Sequence, residues 1–390
     1  MISLTRLVLA SVPSVVSNSA ILEFDLSRYM GYMDDPEVLA SVKLFISGLS
    51  GDAIDLPENV SQLTVVGGSL FFTVNDNNKH ELWISDGTAV GTNRLVEDIG
   101  GEPANLIDVN NTLFFTMTTS AGKYQLWSSD GTAVGTEGVI VSGDVKEFDY
   151  APANLAAVSS RLFFRIPDPA GAQLWTSDGT ADSTVVVSGT LLDGSTTVQL
   201  TEVGELEAVG GKLFFEADFK GTPALWFTSN GATGNTVPVS EGETLFEPDN
   251  LIVVNNGAAD ILFFSARRGS QTQLWRATAN GAKTITDSSG KELSNPDNFT
   301  IFKNELYVTA DNGSSGVELW TTNGIDSGTH IVEDINNGAA NSNPTSLTVF
   351  DNGTVEELYF AADDGTRGIE LWKTTDGTEA NTSLVKDINQ

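Results

Sequence analysis

From residue 60 onward, short apolar runs alternate with clusters of Gly, Asn, Asp and Ser. In the first such group, Gln62–Val66 is followed by Gly67-Gly68, and Leu70–Val74 by the polar Asn75–Lys79. His80–Ser85 is followed by Asp86-Gly87, and Arg94–Ile99 closes the group. Runs of this length, rich in Val, Phe and Trp and bounded by turn residues, predict β-strands. The group therefore predicts four strands. Its Asp-Gly pair supplies the positive φ of a tight turn between the third and the fourth.

The pattern repeats. All seven Trp follow a Leu, at Trp83, Trp127, Trp175, Trp226, Trp275, Trp320 and Trp372, with spacings of 44, 48, 51, 49, 45 and 52 residues. Upstream of each lies Leu, an aromatic, then Phe or Val, from Leu70-Phe71-Phe72 to Leu358-Tyr359-Phe360. Downstream comes Asp-Gly or Asn-Gly, from Asp86-Gly87 to Asp376-Gly377. Pro103, Pro152, Pro248, Pro296 and Pro344 precede the first strand of five units, where a fixed φ and a missing donor suit a crossover.

In Leu70-Phe71-Phe72 neighbouring residues point to opposite sides of a strand, and all are large and apolar. A four-stranded sheet apolar on both faces must be sandwiched between copies of itself. Repeats of ~40–50 residues with four strands close radially. The expected fold is all-β, a seven-bladed β-propeller of four-stranded antiparallel blades, with a β-rich N-terminal extension over 1–59. The blades are expected over about 60–100, 101–148, 149–200, 201–244, 245–292, 293–338 and 339–390. A linear solenoid would leave two apolar ends needing caps, and no atypical C-terminal cap is present. The last unit ends in its own fourth strand, Ser383–Ile388, so the first and last blades are expected to pack directly, helped by the N-terminal segment. Within 1–59, Leu22, Phe24 and Leu26 alternate with Glu23 and Asp25, as Val42, Leu44 and Ile46 do around Lys43 and Phe45. Both stretches predict strands of an arm that braces the ring or contacts a partner. This region resembles part of secreted jelly-roll carbohydrate-binding modules, over about 30 residues. Arg6 and the apolar run from Leu7 resemble a signal peptide, which the chain is expected to retain.

The fullest copies of the unit are Glu81-Leu82-Trp83-Ile84-Ser85-Asp86-Gly87-Thr88, followed by Gly91-Thr92 and Val96-Glu97-Asp98-Ile99, and Glu370-Leu371-Trp372 through Thr378 with Val385-Lys386-Asp387-Ile388. On these residues the chain resembles the ELW-DGT repeat (hyalin-like) family of bacterial surface and secreted proteins. The resemblance implies a propeller-type array at the cell surface or outside the cell, and no established activity. Phe227-Thr228-Ser229-Asn230 and Arg276-Ala277-Thr278-Ala279-Asn280 depart from its turn pattern.

Charge and composition narrow the function. With 20 Lys+Arg against 52 Asp+Glu, the formal charge is −32, which disfavours phosphate backbones and anionic membranes. No nucleic-acid partner and no membrane span are expected. The absence of Cys excludes disulfides and thiolate chemistry, and two His, His80 and His330, cannot build a multi-histidine metal site. The Trp are expected in the core, and the Asp-Gly-Thr turns are expected to bond their own backbone. Calcium is the one cofactor to consider. Oxygen donors cluster at Asn75-Asp76-Asn77-Asn78, Asp311-Asn312-Gly313 and Asp363-Asp364-Gly365, and Ca²⁺ takes six to eight such ligands. The candidate metal residues are therefore Asp76, Asp311, Asp363 and Asp364. Among the first-strand cores only Asp108 and Glu207 are acidic, the pair a propeller glycoside hydrolase would use. No nucleophile elbow or phosphate-cradling loop occurs. The chain is expected to be a non-enzymatic binding or assembly platform for a protein or glycan partner, with a structural subunit of a virion, appendage or injection device as the alternative.

Overall fold

The computed structural model describes residues 60–388, apart from 77–78, 98, 142–143, 192–193, 220, 241–244, 279–280 and 352. The extension expected over 1–59 lies outside the described residues. The first repeat folds as an antiparallel meander of Val60–Val66, Ser69–Asp76, Lys79–Ser85 and Asn93–Val96, paired in that order. Its fourth strand stops at Val96 rather than Ile99, with a register slip at Leu95, opposite Leu82 and Trp83. Ile99 still donates its N–H to the His80 carbonyl at 2.9 Å. In every later repeat the Trp likewise sits on the third strand, from Tyr124–Ser129 to Ile369–Thr374. Among the described residues the chain is all-β, with short 3-10 turns and no α-helix, so no helix is long and apolar enough to cross a membrane.

The chain divides into two compact units. One holds the residues up to Asp168 with Trp175–Val185, the other Pro169–Leu174 with Val186–Gln390. In the first, the apolar faces of successive sheets stack as predicted. Val66, Phe71 and Leu82 meet Leu113, Phe115 and Met117. Val109, Phe114 and Leu126 meet Leu162, Phe164 and Ile166. The second unit repeats the arrangement three times, with Val209, Phe214 and Leu225 against Leu262, Phe264 and Trp275. Val254, Ile261 and Phe263 pack on Leu306, Val308 and Trp320, and Phe302, Tyr307 and Leu319 on Leu358 and Phe360. Each such side chain removed from water stabilises the stack by about 1.5–3 kcal/mol.

Two features refine the picture of separate blades. First, the sheets are stitched together. Ala224 pairs with Phe246 and Gln273 with Ser294, joining three repeats of the second unit into one 12-stranded sheet. In the first unit Glu147 and Phe148, which lead into the third repeat, pair with Gln125 and Tyr124 of the second. These additions cover part of an otherwise bare strand edge. None of the sheets closes on itself.

Second, the first strands are kinked by a left-handed residue. Asn105, Asn154, Asn250 and Asn298 have φ of 55°, 50°, 56° and 57°, each within a register shift. Asn tolerates this region better than other L residues. A hydroxyl on the second strand secures the kink: Thr116 donates to the Ala104 carbonyl and Thr309 to the Asp297 carbonyl, both at 3.1 Å. The prolines are accordingly not confined to crossovers. Pro248 and Pro296 lie inside strands Phe246–Asn255 and Ser294–Phe302 where ladder pairing is interrupted, and Pro103 lies inside Gly101–Val109 opposite Met117, two residues before the kink.

Candidate functional site

The repeat motif proves to be a structural device. In Asp86-Gly87-Thr88 the Asp86 Oδ1 accepts the Thr88 N–H at 2.9 Å and the Thr88 hydroxyl at 2.8 Å. Asp130, Asp178 and Asp376 do the same with Thr132, Thr180 and Thr378. These bonds hold the carboxyls of Asp86, Asp130 and Asp376 below the ordinary range. In the divergent fourth repeat Asn230 Oδ1 takes the Ala232 N–H at 3.0 Å, so the turn survives without a charge. Asn280 lies outside the described residues.

The Glu that opens the motif is buried at Glu81, Glu318 and Glu370. Glu370 accepts the Ile388 N–H at 2.7 Å. Glu318 accepts the N–H groups of Ile335 at 3.3 Å and Ser342 at 2.9 Å, together with the Ser342 hydroxyl. Burial pushes the Glu318 carboxyl up to about 7 despite these donors. Glu81 takes the Trp83 indole N–H at 2.9 Å and Arg94 at 2.7 Å. At Glu318 and Glu370 the carboxylate thus gathers the chain beyond the fourth strand, a role the sequence hid because Glu usually marks a surface.

Trp226, Trp275 and Trp320 are buried, whereas Trp83, Trp127, Trp175 and Trp372 are half-buried. The indole N–H groups of Trp83, Trp127, Trp226, Trp275 and Trp320 bond within their own sheet, not to a neighbouring blade, whereas that of Trp372 has no partner among the described residues. Trp226 donates to the Ala217 carbonyl at 3.3 Å, Trp275 to Ala266 at 3.2 Å and Trp320 to Ala310 at 3.0 Å.

The four aspartates singled out for calcium are placed as follows. Asp76 ends the strand Ser69–Asp76. Asp311 Oδ1 accepts the Gly313 N–H at 2.6 Å and Asp363 Oδ1 the Gly365 N–H at 2.8 Å. Asp364 accepts the N–H groups of Thr366 and Arg367 and the Thr366 hydroxyl, and also pairs with the Arg367 guanidinium, which together hold its carboxyl far below the usual range. Each described carboxylate is drawn to its own loop. Among the described residues no three His, Asp or Glu gather around one point. Asp108, on a first strand of one unit, accepts the Asn111 N–H at 2.8 Å. Glu207 lies in the other unit, half-buried, with its carboxyl raised by burial and by Glu205. The two are not brought into one site within either unit.

What the sequence did not reveal is a cleft within the second unit. It encloses about 400 Å³ and is lined by Leu191, Lys212, Phe214, Phe227, Val237 and Ala282, among others. Facing pairs Val209 with Lys212, Glu207 with Phe214 and Phe214 with Phe227 put these side chains on one face of the sheet. The Lys212 ammonium lies 4.1 Å from the Phe227 ring centroid. Phe227 in turn leans on Phe214, with centroids 5.9 Å apart. Burial lowers the Lys212 pKa, and among the described residues no carboxylate pairs with it. A cation held over an aromatic face in an apolar hollow is a place for an anion attached to an apolar body.

No family model and no curated protein matches the chain. Among solved structures it is similar to the β-propeller domain of the trilobed protease from Pyrococcus furiosus, described as having an open velcro topology. That match has 13% identity and a TM-score of 0.36, covering 85% of this chain and 99% of that one. It is also similar to an acylaminoacyl peptidase from Pyrococcus horikoshii, at 12% identity and a TM-score of 0.33, over 85% of this chain and 52% of that one. Prolyl endopeptidases match at 12% identity and a TM-score of 0.35, over 84% of this chain and 49% of those. The chain thus spans about half the length of the complete peptidases. It is an all-β protein whose structural neighbours are β-propeller domains. Those neighbours come from peptidases, against which the expectation of a non-enzymatic binding or assembly platform does not stand.

Proposed function

We propose that the chain is a seven-bladed β-propeller that receives peptides for hydrolysis, with the cleft of the second unit as its receiving site. The observation that carries the reading is that cleft, about 400 Å³ in volume, apolar in its walls and bearing one half-buried cation. Ligand sites of this kind span ~300–1,000 Å³ and combine apolar lining with few polar groups. Among the described residues the strand Gly281–Thr284 beside it pairs only with its own third strand, leaving edge groups for an extended chain to pair with.

Blade number and closure belong to the same proposal. Seven repeats each form a four-stranded meander, and the last one turns an apolar face outward. Phe350, Tyr359, Ala361, Ile369 and Leu371 share that face, with Phe350 52% and Ile369 67% exposed. A ring would bury such a face against the next sheet.

Titration of the full chain with N-acetylated dipeptides, followed by calorimetry, tests the function. Binding that weakens at least tenfold in Phe227→Ala is the expected result. Absence of any heat with free-acid and amidated peptides alike would remove the cleft as a peptide site.

A further inference from the structure

Building on the peptide reading, we infer that Lys212 recognises the terminal carboxylate of a peptide whose last side chain is apolar. Acidic residues outnumber basic ones 52 to 20, and several lysines pair with a carboxylate, as Lys283 does with Asp326 at 2.6 Å and Lys373 with Glu357 at 2.8 Å. Lys212 instead lays its ammonium 4.1 Å from the Phe227 ring centroid. One side of the charge is satisfied by the ring, and the other faces the hollow formed with Leu191, Val237 and Ala282.

An ammonium in an apolar setting binds a carboxylate more strongly than one in water, because less solvent competes for either charge. The apolar walls add a preference for a hydrophobic residue next to that carboxylate. Backbone groups on the outer edge of Gly281–Thr284, which among the described residues pairs only with its own third strand and lines the cleft, favour a peptide over a simple fatty acid, since only the peptide can pair with them. Glu207 lies on the same sheet face, opposite Phe214, and repels a carboxylate placed too far along the strand. The ligand therefore enters with its charged end at Lys212 and its chain running away from Glu207.

The experiment measures binding of three probes to the full chain: N-acetyl-leucyl-leucine as the free acid, the same dipeptide as its amide, and octanoate. The free acid is expected to bind about 10–100-fold tighter than the amide, the range of a charge-assisted hydrogen bond. Lys212→Met keeps the packing on Phe227 and should bring the acid down to the amide's affinity, while Lys212→Arg should retain most of the preference. Equal binding of acid and amide, or no effect of Lys212→Met in a chain of unchanged melting temperature, overturns the carboxylate role and leaves the peptide site standing. Octanoate binding as tightly as the dipeptide acid overturns the peptide as ligand. Binding of none of the three overturns both.

Discussion

The turn glycines show how much one residue carries. Gly377 adopts φ of +76°, a region that only Gly enters freely, and a Cβ built on it would lie 2.2 Å from the Tyr307 hydroxyl of the preceding repeat. Gly324 repeats this against Ile261, at 2.5 Å. The Asp-Gly signature was legible as a turn. That its glycine also lets the next sheet approach was not, because the partner lies far away in sequence. Gly377→Ala should therefore cost more than the ~1 kcal/mol of a simple turn substitution, about 2–4 kcal/mol once the overlap is added. Urea unfolding measures it. Because the Tyr307 ring carbon Cζ also lies 2.9 Å from that Cβ at position 377, the control is a Tyr307→Ala background, where the cost should fall back towards the turn value; an identical cost in both backgrounds would show that packing plays no part.

At the scale of the element, the fourth strand is ended by a side chain. Glu318 draws in the N–H groups of Ile335 and Ser342, and its repeat-mates at Gln125, Gln173 and Gln273 are already neutral. Its carboxyl stands near 7 when folded, against 4.5 when free. The folded chain therefore binds this proton more tightly than the unfolded chain. The resulting stabilisation is complete below about pH 4.5 and is lost as pH rises through 7. Glu318→Gln should remove this dependence, so that wild type and variant diverge with the wild type losing stability from pH 5 to 8 in urea titrations. Parallel profiles would show that the carboxyl is ionised throughout. Glu318→Ala leaves the Ile335 N–H and the Ser342 hydroxyl without this acceptor, while the Ser342 N–H keeps the Val317 carbonyl at 3.1 Å, and should cost about 2–4 kcal/mol at any pH. The alternation of apolar runs marked where strands lie, yet strand ends and the left-handed kinks at Asn105 and Asn298 escaped it. Those are settled by hydrogen bonds between strands, such as Asn298 Nδ2 to Thr309 Oγ1 at 3.1 Å.

For the whole molecule, the proposed ring makes a testable demand. The outward apolar face of the last sheet, with Ile369 and Leu371, needs a cover, and Leu63 on the first sheet is 45% exposed. The chain contains no Cys, so a Leu63→Cys, Ile369→Cys pair provides the only thiols available to a short bifunctional crosslinker. A closed ring gives an intramolecular crosslink at low protein concentration under native conditions and none in urea. Failure to crosslink when folded would count against closure and favour an open array. The −32 charge acts at this scale too. Self-repulsion opposes compaction and is screened by salt, so the melting temperature should rise between ~10 and ~150 mM NaCl.

The sequence by itself determined the all-β class, the sevenfold repeat, the turn at the described Asp-Gly and Asn-Gly pairs, and the burial of both faces of the second strand in the first six repeats. All of these rest on interactions among residues a few places apart, or on the solvent preference of single side chains, and local pattern records both. Only the tertiary structure decided that Leu191, Lys212, Phe227, Val237 and Ala282 enclose one cleft, and that Asp108 and Glu207 belong to separate units. Nothing local marks Lys212 among the 20 basic residues. Its environment arises from register and from strands brought together across three repeats, and those depend on how whole sheets stack.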